Sequence, residues 1–568
     1  MINALKIAYN VPCQLRDGTT LMANVFRPDT NGEYPVLLTR TPYGKDYMTG
    51  FPYMDVVRLA KSGFIVVLQD VRGRGASQGE WDLFVNETED GFDAVQWAAD
   101  LPGSNGNVGM WGFSYLAYTQ WAAAITQPPA LKAIAPTFTP LDFTNGVFWR
   151  GGALELGIMT HLLINSLGME DIFRKFSSHP EKLGPALSTF IHEVDRIPFG
   201  GLDAFNLHQL DTFNNTGVGI DYLNKVLNNY LLPTLTNFPL GLKDRIAQVK
   251  IPSLNIAGWN DIFLQDTIDA FTIQQSRGNP AKLLIGPWSH LNYTNTIGEL
   301  DYGMAANTAL INKEYDHVAL LLKWFSHWLS DGQNGIMDEP PVKVFIGGKN
   351  RWITADQWPP HDSKLVEWYL DSEKGLSQKK PDQLHHSMQF SFDPAHPFPT
   401  HGGSILMHPY FIPGPRDQQL FNTREDCLVF SSEPLSHPLT ITGPVSVSLF
   451  AASSAIDTDF VATLLDIHPD GKSYNITDGI IRARYRDGVP SQNLTPGEPV
   501  CVSIDLWSAG YAFLPGHRLA VRITSSNFPR WDRNLNNNGD SSQTVIAHQS
   551  IFMDTGHPSH IRLTISPE

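Results

Sequence analysis

Between Tyr34 and His290 the chain alternates short, continuously apolar runs with longer stretches of helical spacing. The runs YPVLLTR, GFIVVLQD, NVGMWGFS, LKAIAPTF, IPSLNIAG and KLLIGPWSH are each rich in β-branched or large apolar residues. A strand buried on both faces has no polar side to alternate with, so the pattern predicts a mainly parallel sheet covered by helices, an α/β core. Between the second and third runs, ETEDGFDAVQWAADLP sets Phe92, Val95, Trp97, Ala98 and Ala99 at roughly helical spacing and stops before Pro102. That segment predicts a crossover helix.

The rhythm changes twice. Over residues 144–243 the strand signal gives way to helical periodicity, as in GALELGIMTHLLINSLGMEDIFRKF. A helical insertion between two sheet strands commonly lies over the carboxyl ends of the strands, where such sheets bind ligands, and is read as a cap. The core, begun in residues 1–143, resumes in 244–352 and closes on the amphipathic helix of INKEYDHVALLLKWFSHWLSDG. Residues 353–568 then carry short alternating runs such as PVSVSLFAASS, FVATLLDIH, CVSIDLW and HRLAVRITSS, separated by Gly, Pro and Asn turns. They predict a β-sandwich of jelly-roll type.

Composition narrows the classes of function. A chain of 568 residues exceeds what one hydrophobic core organises, which agrees with several domains. The formal charge of −16 gives no electrostatic reason to bind nucleic acid. Cys13, Cys427 and Cys501 are far apart and show no metal or disulfide spacing. The first residues, MINALKIAYNVPCQLRDG, lack a basic flank and apolar run, and no stretch of about 18 apolar residues occurs, so a cytoplasmic, non-membrane protein is expected.

Candidate chemistry sits at the predicted strand ends. In NVGMWGFSYLAYTQWAAA, Ser114 follows a strand and precedes a helix, a turn that holds a serine hydroxyl up at the sheet edge with the next residue's N–H, that of Tyr115, as an oxyanion donor. The second glycine of the G-x-S-x-G pattern is missing, because Leu116 and Ala117 follow. A buried serine ending a core strand would read the same way in isolation. Downstream, IPSLNIAGWNDIF ends a strand near Asp261 and KLLIGPWSHLNY ends one near His290. Asp261 alone could cap a helix and His290 alone could be a loop histidine. Their order after the serine and their shared placement past strand ends match a Ser-Asp-His triad, in which imidazole takes the hydroxyl proton and carboxylate fixes the imidazole.

The chain also resembles the cocaine esterase branch of the Xaa-Pro dipeptidyl-peptidase-like hydrolases, the CocE/NonD family, along nearly its whole length. The segments that carry the resemblance are RTPYGK, DVRGRGASQGEW, GFSYLAYTQW, AGWNDIF, GPWSH, DTDFVATLLDIHPDG, DGIIRARYR, LPGHRL and SSNFPRWDRN. It implies an α/β-hydrolase core with an inserted cap and a C-terminal jelly roll. It also implies Ser114, Asp261 and His290 as the triad, Tyr43 with the Tyr115 N–H as the oxyanion hole, and hydrolysis of carboxylic esters without metal or organic cofactor. Trp149, Phe263, Leu406 and Met407 would line the acyl pocket, the last two reaching in from the β domain, and a homodimer is a family-level expectation. The family's glycine three residues after the serine is here Ala117, one methyl larger at a tight site.

Other residues near these segments read in two ways. Phe148, Trp259 and Trp288 suit a pocket for a bulky or aromatic acyl group, though core packing is the better reading for the two tryptophans. Arg72 and Arg74 read as parts of a tightly bonded loop rather than anion ligands. The competing activities are an amide-cleaving acylase or Xaa-Pro dipeptidyl peptidase, for which Glu299 and Asp301 are the nearest carboxylate pair. A binding protein with a dead hydrolase core is the reading from another class. The expected partner is a small-molecule ester.

Overall fold

The computed structural model describes residues 4–51, 53–196, 241–330, 332–488, 490–537 and 543–567. The second half of the expected cap, 197–240, lies outside the described residues. Ten strands form the first sheet, numbered in chain order: β1 (Leu5–Gln14), β2 (Thr20–Pro28), β3 (Tyr34–Thr41), β4 (Ile65–Asp70), β5 (Ser104–Phe113), β6 (Leu131–Thr137), β7 (Ser253–Asn260), β8 (Ala281–Ser289), β9 (Val342–Ile346) and β10 (Arg351–Ala355). Their spatial order is 1-2-4-3-5-6-7-8-9-10. Strands β3 to β9 pair in parallel, while β1, β2 and β10 add antiparallel edges.

Every parallel run anticipated from apolar continuity is a strand, and Ile65–Asp70 and Ala281–Ser289 are buried at every position. The predicted crossover helix is Glu87–Ala99. It packs on the helix Tyr115–Ala124 so closely that a Cβ on Gly91 would lie 2.9 Å from the Cβ of Ala123. Strand β10 runs through the expected domain border at 352 and belongs to the first sheet, because Val344↔Ile353 and its neighbours pair as a hairpin.

The inserted segment is less regular than its periodicity suggests. It begins with a turn at Phe143–Val147 and a two-residue ribbon, Trp149–Arg150 with Ala153–Leu154, before the helical stretches Leu156–Ile158, Met159–Gly168, Met169–Phe176 and Pro180–Arg196. It is clamped onto the loop after β4. Arg74 bonds Glu170 at 2.7 Å and Asp171 at 2.8 Å, and its guanidinium lies 3.8 Å over the Trp81 ring. Arg72 pairs with Asp90 and Asp17. Both arginines are therefore spent on structure.

The C-terminal region is strand-rich. A seven-stranded and a four-stranded antiparallel sheet share one apolar core, with Val445, Val447, Leu449 and Ile504 from one sheet meeting Phe460, Leu464, Val521 and Ile523 from the other. Where this region meets the inserted segment, a buried ionic network accompanies the apolar packing of Ala153 on Val461, Ile480 and Trp531. Arg482 bonds Asp459 and Asp532 at 2.9 Å each, Arg530 bonds Asp478, and Glu155 accepts from Trp531 Nε1 at 2.7 Å. The motifs DGIIRARYR and SSNFPRWDRN supply most of these charges. Removing one partner of a buried pair strands the other in low dielectric. Asp532→Ala is expected to cost about 3–5 kcal/mol, read as a lowered denaturant midpoint of the transition that includes the C-terminal region.

Among the described residues, no helix is long and apolar enough to cross a membrane. Cys13 is fully buried and desolvation pushes its thiol up to about 12, which makes it inert as a nucleophile at neutral pH.

Candidate active site

The carboxyl ends of β5, β7 and β8 present Ser114, Asp261 and His290 at one edge of the sheet. Ser114 has φ 59° and ψ −127°, a strained conformation for a residue with a Cβ, and the helix Tyr115–Ala124 begins immediately after it. The turn is held from both sides. Ser114 N–H donates to Thr137 O at 2.9 Å, while the N–H groups of Ala117 and Tyr118 donate to Ser114 O. Gly112, at φ 130°, is required, since a Cβ there would lie 2.7 Å from the Cβ of Leu116 and 2.9 Å from Thr39 Oγ1. Leu116 and Ala117 are fully buried against the core, so the helix starts without the second glycine.

Asp261 and His290 form a tight pair. Nδ1 of His290 lies 2.6 Å from Asp261 Oδ1, and both side chains are nearly inaccessible. The other carboxylate oxygen of Asp261 accepts the Phe263 N–H at 2.9 Å, which fixes the carboxylate plane. Asn260 Nδ2 donates across to Pro287 O at 2.6 Å and ties together the loops that carry the two residues. Phe263 stands edge-on to the His290 ring at 5.2 Å and Phe138 lies 5.5 Å away on another side. The imidazole is thus confined to one orientation.

Tyr43 follows β3 in a loop locked by Asp70. That carboxylate accepts the N–H groups of Lys45 at 2.6 Å and Ala76 at 3.0 Å, and Gly75 has no room for a Cβ, which would fall 2.3 Å from Asp70 Oδ2. The Tyr43 phenol lies beside the Ser114 side chain, and burial pushes it up to about 12, against the opposing effects of Ser114 and of Arg74, so it stays protonated at neutral pH. Tyr115 directs its own side chain away, its hydroxyl donating to Glu87 Oε1 at 2.8 Å beside the Arg40–Glu87 ion pair. Its backbone N–H is the part left for the site.

Trp288 Nε1 donates to Ala306 O, and Trp259 Nε1 donates to Phe345 O beside Trp358, so both are packing residues. Phe148 packs among Phe84, Phe143 and Trp149. Trp149, Phe263, Leu406 and Met407 are all buried, and Met407 packs on Gly157 of the inserted segment. Glu299 and Asp301 are committed elsewhere. Glu299 bonds Arg416 at 3.0 Å and accepts the Asp417 N–H, while Asp301 accepts from Asn295 and Gly303.

Scans of known families match residues 17–182 and 239–292 to the X-Pro dipeptidyl-peptidase S15 family, and 334–562 to the X-Pro dipeptidyl-peptidase C-terminal non-catalytic domain. Cocaine esterase from Rhodococcus sp. (strain MB1 Bresler) is 32% identical, with 98% of each chain covered. The chain belongs to the cocaine esterase-like, CocE/NonD branch of the S15 family. Among solved structures, an aminopeptidase from a marine sediment Thaumarchaeota archaeon superposes with a TM-score of 0.81 at 23% identity, covering 99% of this chain and 96% of that one. An α-amino acid ester hydrolase superposes at 0.79 and 24% identity, covering 99% and 97%.

In this S15-family chain, two histidines escaped the sequence reading. His161, on the inserted segment, lies within electrostatic reach of His290 and of His408, and burial drives it down to about 4. His317, at the start of the helix His317–Leu329, borders a small cavity with Tyr53, Phe113 and Tyr293 and is also lowered to about 4 by desolvation. No periodicity marks a lone histidine, so neither gave a signal. Both folded-state values lie below the ordinary 6.5, so the stability they contribute is complete above about pH 6.5 and is lost as pH falls toward 4. The thermal midpoint is expected to fall through that window, and His317→Gln to make the slope shallower in a pH series of melts.

Proposed function

We propose that this protein is a serine hydrolase of carboxylic esters, built as an α/β-hydrolase core with a helical cap and a C-terminal jelly roll. The observation that carries this reading is the pairing of a strained, helix-starting Ser114, with the Tyr43 phenol beside it, and the buried His290–Asp261 couple on the same sheet edge. Ser114 Oγ attacks the ester carbonyl while His290 takes its proton. The same imidazolium then protonates the departing alcohol, and water activated by His290 releases the acid. Tyr43 OH and the Tyr115 N–H receive the oxyanion, and Asp261 stabilises the imidazolium.

Trp149, Phe263, Leu406 and Met407 are proposed to hold the acyl group, which suits an aromatic or bulky apolar acid. Trp149 Nε1 is buried without a hydrogen-bond partner among the described residues, a donor available to a polar atom on the substrate. The engagement of Glu299 and Asp301 with their own neighbours favours a neutral acyl group over recognition of a free amine.

The test is a panel of acetyl, butyryl and benzoyl p-nitrophenyl esters beside aminoacyl and Xaa-Pro p-nitroanilides. Esters are expected to turn over with kcat/KM highest for benzoyl, and Tyr43→Phe to lower kcat by about 10²–10³-fold with KM little changed. Faster cleavage of the anilides would replace the ester reading with an amidase.

A further inference from the structure

A second cluster of imidazole and carboxylate groups lies in the C-terminal region, outside the residues assigned to hydrolysis. Strand Asp459–Ile467 pairs with Arg518–Thr524 in the register Asp466↔Leu519 and Ile467↔Arg518. That register brings Asp466, the turn residue His468 and His517, just ahead of the second strand, to one point. One donor atom from each lies within 4.8 Å of the other two. Nδ1 of His517 is 2.9 Å from Asp466 Oδ1, and Nε2 of His468 is 3.3 Å from Asp466 Oδ2. The two imidazole centroids are 4.3 Å apart.

Hydrogen bonding explains only part of this arrangement. Asp466 is fully buried and its Oδ2 accepts the Tyr511 hydroxyl at 2.8 Å, while its contact with His517 Nδ1 is an ordinary carboxylate–imidazole bond. Nε2 of His468, by contrast, is shielded from solvent and makes no hydrogen bond among the described residues, although it faces the same carboxylate. A buried ring nitrogen that faces a shared carboxylate without a hydrogen bond is a group to which a bound ion would supply the missing partner.

We propose that Asp466, His468 and His517 bind a divalent transition ion of the zinc class in the C-terminal region. Metal–donor bonds of roughly 2.0–2.1 Å place tetrahedral donors about 3.4 Å apart, which the 3.0 and 3.3 Å separations of His517 Nδ1 and His468 Nε2 from the shared oxygen Asp466 Oδ2 approach with little movement. Two imidazoles and one carboxylate suit zinc or cobalt, whereas calcium takes six to eight oxygens and magnesium an octahedron of them. Tyr511 orients the carboxylate by donating to Oδ2, and water completes the shell. The ion's role is structural. It fixes the 467–473 turn to the strand that follows His517, and through Tyr511 to the strand Val500–Phe513, whose Gly510 abuts Trp259 of the core.

The experiment uses the full chain, stripped with a chelator and titrated with Zn²⁺ and, separately, Co²⁺. Wild type is expected to take up one tight equivalent, to show cobalt d–d absorption between about 500 and 650 nm, and to gain on the order of 5 °C in thermal midpoint with zinc. His468→Phe and His517→Gln are expected to lose all three signals. His468 belongs to a surface turn, so His468→Phe keeps the test decisive should His517→Gln fold poorly. Absence of a tight equivalent in wild type would overturn the proposal, as would unchanged uptake in folded His468→Phe, which would place the ion on other histidines such as His290.

Discussion

Ser114→Ala is expected to lower kcat for ester hydrolysis by roughly 10⁶-fold, to near the background of the remaining machinery. The strain at φ 59° is imposed by Thr137 O, by the helix that starts at Tyr115 and by the absence of a side chain at Gly112, none of which the substitution alters. Alanine should therefore occupy the same turn, and the loss should appear in kcat with an unchanged thermal midpoint. Steady-state kinetics on a p-nitrophenyl ester, with a melt of the same preparation, checks both. A variant that kept a hundredth of wild-type activity would show that the nucleophile lies elsewhere.

Asp261→Asn is the second large effect, with an expected loss of about 10⁴-fold in kcat at neutral pH. Asparagine is close to isosteric, so the Phe263 N–H can still be accepted by its carbonyl oxygen. The cost falls on the 2.6 Å bond to His290 Nδ1. If the amide turns its NH₂ toward Nδ1, it stabilises the tautomer whose Nε2 carries the proton, and that tautomer cannot take one from Ser114. If it turns the oxygen, the imidazolium still lacks a countercharge in a site sealed from water. The loss should shrink above neutral pH, where hydroxide substitutes for the base. A pH–rate profile of the variant that stayed parallel to wild type would argue that Asp261 only shapes the loop.

The parts of the fold that sequence revealed are those where burial leaves no choice of residue. Each parallel strand of the core is apolar on both faces, so its run is continuous and readable, and the crossover helix follows from spacing and a terminal proline. Chemistry at strand ends was legible for the same reason, because the ends of readable strands locate Ser114, Asp261 and His290. Strand Leu5–Gln14 was not legible: most of its side chains are exposed and carry no apolar alternation. The border at 352 failed because β10 is itself a half-exposed edge strand, RWITA, whose assignment rests on pairing with Val342–Ile346 rather than on its own pattern. The network around Arg482 depends on contacts between distant segments, which no local signal encodes.

Tyr43 belongs to an intermediate case. Its loop gives no periodic signal, and only family resemblance singled it out. Its placement has a physical reason, since Asp70 pins the residue two positions on and so holds the phenol beside Ser114.

A serine-hydrolase mechanism requires a covalent intermediate at Ser114, and rapid quenching tests for it directly. The enzyme would be mixed with a slow aromatic ester such as p-nitrophenyl benzoate, quenched in acid within the first turnover and measured by intact mass, then digested to locate the adduct. A mass increase equal to one acyl group, carried by the peptide containing Ser114 and absent from Ser114→Ala, is the predicted result. A turnover burst without an adduct, or an adduct on any other residue, would contradict it.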